Sequence, residues 1–404
     1  MEPYDVIVAG VGPGGAAVAA RLHQHGLTRV LVLERYHFPR DKPCGGGLTG
    51  HADEALAALD LRLEVPCVPS GEARVRFGSF ERRVTLGRPV NVVRREELDA
   101  NLVAQVRRKG VEVVEGEGVT SIADAARSDA LEVTTSTGRR LRTRVLVGAD
   151  GAASIVRKHL LGNEKALPHR LFRREMSLAA DQGEDHAMLY DFTPMARGLR
   201  GYLWVFPVPG RRINVGIMHY PSSRQSGVAL TQHLRLGLGE LGIQLPDKGT
   251  RGWPVWGYHP GTAVAAPRIL TVGDAAGIDG LTGEGIAVAL EHAIVAGDTV
   301  ARGLATGDLS FTGYRRDLRR AVVGRELALD RWLARLIYQR GGGWRNWLSL
   351  VLYDPDVLEM YAARVAGTEI LADQKRRLYK ALVRHSGRRG ARRRALLAAA
   401  PTEP

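Results

Sequence analysis

The sequence predicts an α/β protein: a Rossmann-like nucleotide-binding domain, interrupted by an inserted mixed or antiparallel β-sheet and followed by a C-terminal helical segment. Three observations carry this expectation. YDVIVAGVGPGGAAVAARLHQHG opens the chain with a buried apolar run, a glycine turn and an Ala-rich helical stretch. Short strand-like runs bounded by turn residues dominate from about residue 171 to 220. The strand, glycine turn and helix pattern then returns in ILTVGDAAGIDGLTGEGIAVAL, so the chain re-enters its first domain after the insertion.

Element by element, Asp5–Ala9 reads as a strand, Gly14–His25 as a helix and Val30–Glu34 as a second strand, one βαβ unit. A Pro- and Gly-rich loop covers Phe38–Gly50, with a helix near His51–Leu59. Short strands fill Val68 to Asn91, Arg95–Lys109 is helical, and Val111–Glu115 and Val145–Asp150 return to strand. VFPVPGRRINVGIMHY has the form of a hairpin. The resulting division places 1–67, 92–165 and 262–308 in the nucleotide domain, and 68–91 and 166–261 in the inserted sheet that would hold substrate. A helical region spans 309–385, with aromatic and basic residues interleaved, and a basic, mobile tail spans 386–404.

Composition bounds the function. The 404 residues are 45% hydrophobic and 25% charged, ordinary for a globular chain of about two domains. A formal charge of +14 favours anionic company, whether phosphate, acidic lipid or nucleic acid, although scattered Arg accounts for much of it. No nucleic-acid-binding fold accompanies the charge, so that partner is not expected. Cys44 and Cys67 cannot build a disulfide framework, which fits a reducing cytoplasm, and no Cys or His spacing suggests a metal. No leader is read before the first strand, and no apolar run reaches the roughly 18 residues of a membrane span.

Three glycine-rich segments carry the chemistry. Gly10, Gly12 and Gly15, with Pro13 and Gly14 between them, form G-x-G-x-x-G from strand to helix. In that motif the first glycine makes the tight turn, the second admits a pyrophosphate, and the third lets helix pack on strand. Glu34, followed by Arg35, ends the next strand, where a carboxylate can accept from ribose hydroxyls. Alone, this fingerprint does not separate NAD from FAD. VLVGADGAASIVRKHL then supplies Gly148, Asp150 and Gly151, and the returning segment supplies Gly273, Asp274, Gly283, Glu284, Gly285 and Ile286, each where an apolar strand meets a turn. For Asp150 or Asp274 alone, a turn or helix-capping role is the commoner use of an Asp beside Gly.

With those three motifs in that order, the chain resembles the flavoprotein superfamily of aromatic hydroxylases, flavin-dependent halogenases and geranylgeranyl reductases. The resemblance implies bound FAD, with Asp274 at its ribityl or pyrophosphate region, Asp150 and Gly151 on the pyrophosphate side, Arg95 reaching the cofactor and the main chain at Val119 meeting adenine. The helix start at Gly283–Ile286 would face the flavin pyrimidine, where its N–H groups favour an anionic reduced ring.

Two further segments narrow the resemblance to the geranylgeranyl reductase family: FPRDKPCGGGLTG, with Cys44, Gly45 and Gly46, and GYLWVFPVPGRRINVGI, with Tyr202, Trp204, Phe206 and Pro207, then Asn214, Val215 and Gly216 on the return. Met218 stands where that family often has a second glycine, and nothing past about Ser310 carries over. Period two puts Tyr202, Trp204 and Phe206 on one face, to be read as core or as pocket. The resemblance implies pocket: an apolar cavity over the flavin for an isoprenoid chain, with Tyr202, Trp204, Phe206, Pro207 and Gly216 lining it and Cys44, Tyr202 and Trp204 nearest the chemistry.

The activity implied is saturation of carbon–carbon double bonds in a polyprenyl lipid, quinone side chain or diphosphate. Electrons would come from NADPH or a ferredoxin-like reductant, in a cytoplasmic protein that also touches the anionic inner face of the membrane. A flavin monooxygenase or halogenase remains an alternative, with Lys42 in the relevant loop. So does a non-catalytic electron carrier or isoprenoid-binding protein.

Overall fold

The computed structural model describes residues 3–124, 130–162, 168–178, 185–220, 227–278, 281, 283–339 and 343–386. Nearly all of the expected basic tail therefore lies outside the described residues. The expected fold class holds: two eight-stranded sheets with helices against them.

Strand Tyr4–Ala9 is the middle of the first sheet. It pairs in parallel with Val30–Glu34 on one side and Arg140–Gly148 on the other. Glu112–Glu115 and Ile269–Thr271 extend the parallel run outward, and Ala265–Ala266 turns back along one edge. Because helices Pro13–Gln24 and Gly285–Thr306 pack together over this sheet, its central strands are covered and read as unbroken apolar runs; every residue of Val30–Glu34 is buried. The chain goes first to one side of the central strand and later to the other. The carboxyl ends of Tyr4–Ala9 and Arg140–Gly148 therefore flank a topological switch point, where open α/β sheets bind ligands.

The second sheet runs, in spatial order, Arg251–Val255, His169–Ser177, Arg212–His219, Gly201–Val208, Met188–Asp191, Cys67–Phe77, Phe80–Val93 and Gly47–Leu48. All pairs are antiparallel except Met188–Asp191 with Cys67–Phe77, so the sheet is mixed. The continuous ladder crosses two of the boundaries expected from sequence. Cys67 pairs with Val93, so the strands begin and end within the stretches assigned to the nucleotide domain. Gly47 and Leu48, read as loop, pair with Val92 and Asn91, which anchors the Cys-Gly-Gly turn to the sheet edge.

Helices Gly343–Tyr353 and Pro355–Val365 lie over the second sheet. Leu348, Val351, Val357 and Met360 share one apolar core with Phe77, Val90, Val92 and the aromatic strand Gly201–Val208. Burial of that surface, at about 25 cal/mol per Å², is what holds the C-terminal helices there. No helix among the described residues is long and apolar enough to cross a membrane.

Candidate active site

Gly10 ends the central strand at φ +92°, and a Cβ there would sit 2.5 Å from the Ala149 carbonyl oxygen. A Cβ on Gly15 would lie 2.0 Å from the Gly10 carbonyl oxygen, so helix and strand meet at backbone distance. No side chain caps helix Pro13–Gln24, which leaves its first-turn N–H groups available to a phosphate. Glu34 is 5% exposed, and its carboxylate accepts from Val11 N at 3.0 Å and Tyr36 N at 3.1 Å, pinning the turn to the next loop. Arg35 packs beside Gly118, where a Cβ would come within 2.8 Å of the Arg35 Cβ, and Val119 opens the adjoining hairpin. Glu34, Arg35 and Val119 thus gather at one end of the first sheet.

A single cavity runs from this turn into the second sheet. Of the residues singled out by sequence, Gly12, Pro13, Gly14, Cys44, Gly45, Gly46, Arg95, Gly151, Gly273, Asp274, Gly283, Gly285, Ile286, Tyr202, Trp204 and Phe206 line it. The three glycine segments and the aromatic strand are therefore one site. Tyr202, Trp204 and Phe206 share a face, their ring centroids 6.3 and 6.4 Å apart in succession.

The other expectations resolve differently. Gly10 and Gly15 act through backbone packing behind the wall. The Asp150 carboxylate accepts from Ile155 N at 2.7 Å through Oδ2, at the start of helix Ile155–Leu161, whose N-cap is Ser154, while its Oδ1 has no hydrogen-bond partner among the described residues; burial pushes its carboxyl up. Pro207 is a correction: alternation turns it to the opposite face, beside Val205 and Ile213. Gly216 is another. The Trp204 indole lies directly over it, where a Cβ would approach to 2.1 Å, so Gly216 seats the indole and does not face the cavity.

The Cys-Gly-Gly turn is fastened to that same indole. Trp204 Nε1 donates to Asn214 Oδ1 at 3.1 Å, and Asn214 Nδ2 donates to the Cys44 carbonyl oxygen at 2.7 Å. Gly45 rests on Phe206, 2.9 Å from where a Cβ would be, and Gly46 N donates to the half-buried Cys44 Sγ at 3.4 Å. Lys42 Nζ donates to Asp274 Oδ2 at 2.6 Å, joining the loop to the third glycine segment. Arg95, 4% exposed, forks onto Asp99 with two bonds of 2.8 Å. Burial opposes its charge, but Asp99 and Cys44 outweigh that and raise its pKa.

Several lining residues were not singled out. Tyr190 and Phe192 leave the neighbouring strand to meet Phe206 at 5.1 Å and Tyr202 at 5.7 Å, and Trp347 meets Phe192 edge-on at 5.2 Å. Tyr338, Val351, Tyr361 and Arg364 complete the far wall from the C-terminal helices. The interleaved aromatics of that region were the visible signal. Each charged group on the described lining is paired: Lys42 with Asp274, Arg95 with Asp99, and Arg364 with Asp330, Glu326 and, at 3.7 Å, Glu284.

An uncapped helix start, glycine backbones at the strand ends and an adjoining aromatic chamber fit a dinucleotide's phosphates and flat ring. A family model described as "FAD binding domain" matches residues 3–309. Digeranylgeranylglycerophospholipid reductase 1 of Methanopyrus kandleri is 29% identical over 333 residues, covering 78% of this chain and 84% of its own. Menaquinone reductase of Mycobacterium tuberculosis is 28% identical over 308 residues, covering 72% and 74%. Among solved structures, a geranylgeranyl bacteriochlorophyll reductase-like protein of Thermoplasma acidophilum superposes with a TM-score of 0.67 at 20% identity, over 93% of this chain and 99% of that one. PqsL of Pseudomonas aeruginosa, described as a probable FAD-dependent monooxygenase, gives 0.65 at 20% identity, over 91% and 99%. At such identities the two structures show the fold alone.

Proposed function

The chain belongs to the FAD binding domain family, and on that footing we propose that this FAD-dependent oxidoreductase saturates carbon–carbon double bonds of a prenyl chain carried by a lipid or quinone. One observation carries the reading: the aromatic chamber opens directly from the glycine cradle and extends between the second sheet and the C-terminal helices. When bound, FAD supplies hydride beside that chamber. The backbone N–H groups of Gly12 and Gly14 and of the first turn of helix Gly285–Thr306 would hold its phosphates and ring, with Lys42 and Asp274 at the joint.

The protein's own contribution is a dry, shaped space. An isolated alkene is a poor hydride acceptor, so its second carbon must gain a proton as the first gains hydride. Tyr190, Phe192, Tyr202, Trp204 and Phe206 exclude water and offer ring faces to the developing positive charge. Trp204, through Asn214, also holds the Cys44 turn in register with the chain. Two relatives named as reductases of prenyl-bearing compounds support the reading.

The monooxygenase or halogenase alternative is less well served. A halogenase would need a lysine available to substrate, and Lys42 is engaged by Asp274 at 2.6 Å. The reductant, NADPH or a ferredoxin-like protein, would visit transiently, since the sequence holds no second dinucleotide fingerprint. For membrane contact at the cytoplasmic face, helix Lys375–Ser386 exposes Tyr379 between Arg376 and Lys380, and Val383 between Lys380 and Arg384, a surface suited to anionic lipid.

The test is anaerobic. Protein reduced by dithionite is mixed with an unsaturated prenyl alcohol, whose head group accepts no electrons, and the flavin spectrum and lipid mass are followed. Flavin reoxidation with a gain of two mass units per turnover is expected. Reoxidation by oxygen alone, with a hydroxylated or halogenated product, would refute the reading.

A further inference from the structure

Positive charge that the chamber does not offer is gathered in a second cleft beside it. Arg94, Arg95, Arg173, Arg174, Arg212 and Arg251 line this cleft of about 480 Å³, with Asp41, Glu96 and Glu175 among them. Arg173 and Arg174 lie within strand His169–Ser177, and Arg212 and Arg251 open the strands on either side of it. Arg94 is the N-cap residue of helix Arg95–Arg108, and Asp41 precedes Lys42 in the loop that joins the flavin site. Arg95 lines both cavities, so they adjoin at its side chain.

Two carboxylates hold four of these guanidiniums. Glu175 accepts from Arg94 Nε at 2.9 Å and Arg173 Nη2 at 2.8 Å, and meets Arg212 Nε at 2.7 Å. Asp41 accepts from Arg173 Nη1 at 2.9 Å and from Arg251 Nη1 at 3.1 Å. Arg174 donates to the carbonyl oxygen of Lys248, a neutral acceptor. Arg94 also reaches Glu96 and Glu97, while Arg95 and Arg40 share Asp99. Among the described residues the network thus sets seven guanidiniums against five carboxylates, a surplus of two positive charges. Arg173 is 5% exposed, and its Nε has no hydrogen-bond partner among the described residues. Ion pairs that only stitched the loop to the strands would balance, and here the excess sits in a concavity, where water screens it less than on open surface.

The partner such a cleft selects is a small anion with more than one negative charge and several acceptor oxygens. Guanidinium forks match phosphate oxygens in both charge and geometry. We propose that the cleft binds the diphosphate group of a ligand that acts at the flavin site, with Arg173, Arg174, Arg212 and Arg251 as its contacts. This stands apart from the prenyl reading, because it rests on the cleft's own charge. Two sources share the chemistry. One is a nicotinamide dinucleotide acting as reductant: the sequence has no second glycine fingerprint for its phosphates, which leaves side-chain charge to hold them. The other is a prenyl diphosphate acting as substrate, with its head group in the cleft and its chain in the adjoining chamber.

The test uses FAD-loaded protein and inorganic pyrophosphate, titrated by calorimetry at low ionic strength. Arg212 and Arg251 are 35% and 63% exposed, and replacing them leaves Glu175 and Asp41 still paired with Arg173. Wild type should bind pyrophosphate, and the double variant Arg212→Gln/Arg251→Gln should keep its FAD while binding at least about tenfold more weakly. Arg140→Gln, which removes a 75% exposed arginine from the first sheet, should bind as wild type does. No binding by wild type, equal affinity in the double variant, or an equal loss in Arg140→Gln would overturn the proposal. NADP⁺ and geranylgeranyl diphosphate are then titrated separately: the one whose affinity falls in the double variant is the source of the diphosphate, and a fall in neither overturns the proposal as well. If wild type saturates no prenyl chain, the functional reading fails while the pyrophosphate titration still decides the cleft.

Discussion

Replacing Glu291 with Gln should change how stability depends on pH, by an amount the structure sets. In the folded protein burial and the neighbouring carboxylates move this carboxyl from the ordinary 4.5 to about 8. Between those values the folded chain keeps a proton that the unfolded chain releases. The associated stability is therefore fully present below about pH 4.5 and is lost as pH rises through about 8. At about 1.4 kcal/mol per pH unit the loss has a ceiling of about 5 kcal/mol. Side-chain exposure of 22% lets water relax the site, and about 2–4 kcal/mol is the expected size. Gln keeps the shape and removes the ionisation. Urea midpoints measured from pH 5 to pH 9 should show wild type losing that amount relative to Glu291→Gln. Parallel curves would refute the account of a proton held at Glu291.

Asn214→Leu should destabilise the protein by about 2–4 kcal/mol, because the Trp204 N–H and the Cys44 carbonyl both lose a buried partner; urea denaturation measures this, and a weaker FAD affinity by flavin fluorescence should accompany it. Val351→Trp puts an indole into the far wall of the chamber, remote from the glycine turn. It should leave FAD content unchanged while weakening prenyl quinone binding at least about tenfold, about 1.4 kcal/mol.

The legible parts of this molecule are those decided locally. Gly10, Gly12 and Gly15 follow a buried strand and open a helix, and each constraint lies within a few residues of its cause. The same holds for Tyr202, Trp204 and Phe206, where alternation alone sets the common face. That alternation also turns Pro207 away, so placing it in the pocket by family likeness set aside a rule already visible in the strand. Asp150 was locally ambiguous, since a turn acid can serve a ligand or the next helix, and its Oδ2 meets Ile155 N while Oδ1 has no partner among the described residues. The far wall was not legible for a different reason. Trp347 reaches the chamber by meeting Phe192, more than 150 residues earlier in the chain, a contact that no local pattern encodes.

That long-range packing has a chemical consequence. Helix Pro355–Val365 touches the chamber through Leu358 and Ala362, and through Arg364 it grips Asp330, Glu326 and, more loosely, Glu284. One helix thus spans both a wall of the chamber and the acid cluster. That element carries the Arg364 guanidinium, whose attraction opposes proton retention at Glu291. A small outward movement of Arg364 would leave the carboxyls less well neutralised and raise their hold on protons; an inward one would do the reverse. Packing of the chamber wall and the hold of these carboxyls on protons therefore meet in a single helix.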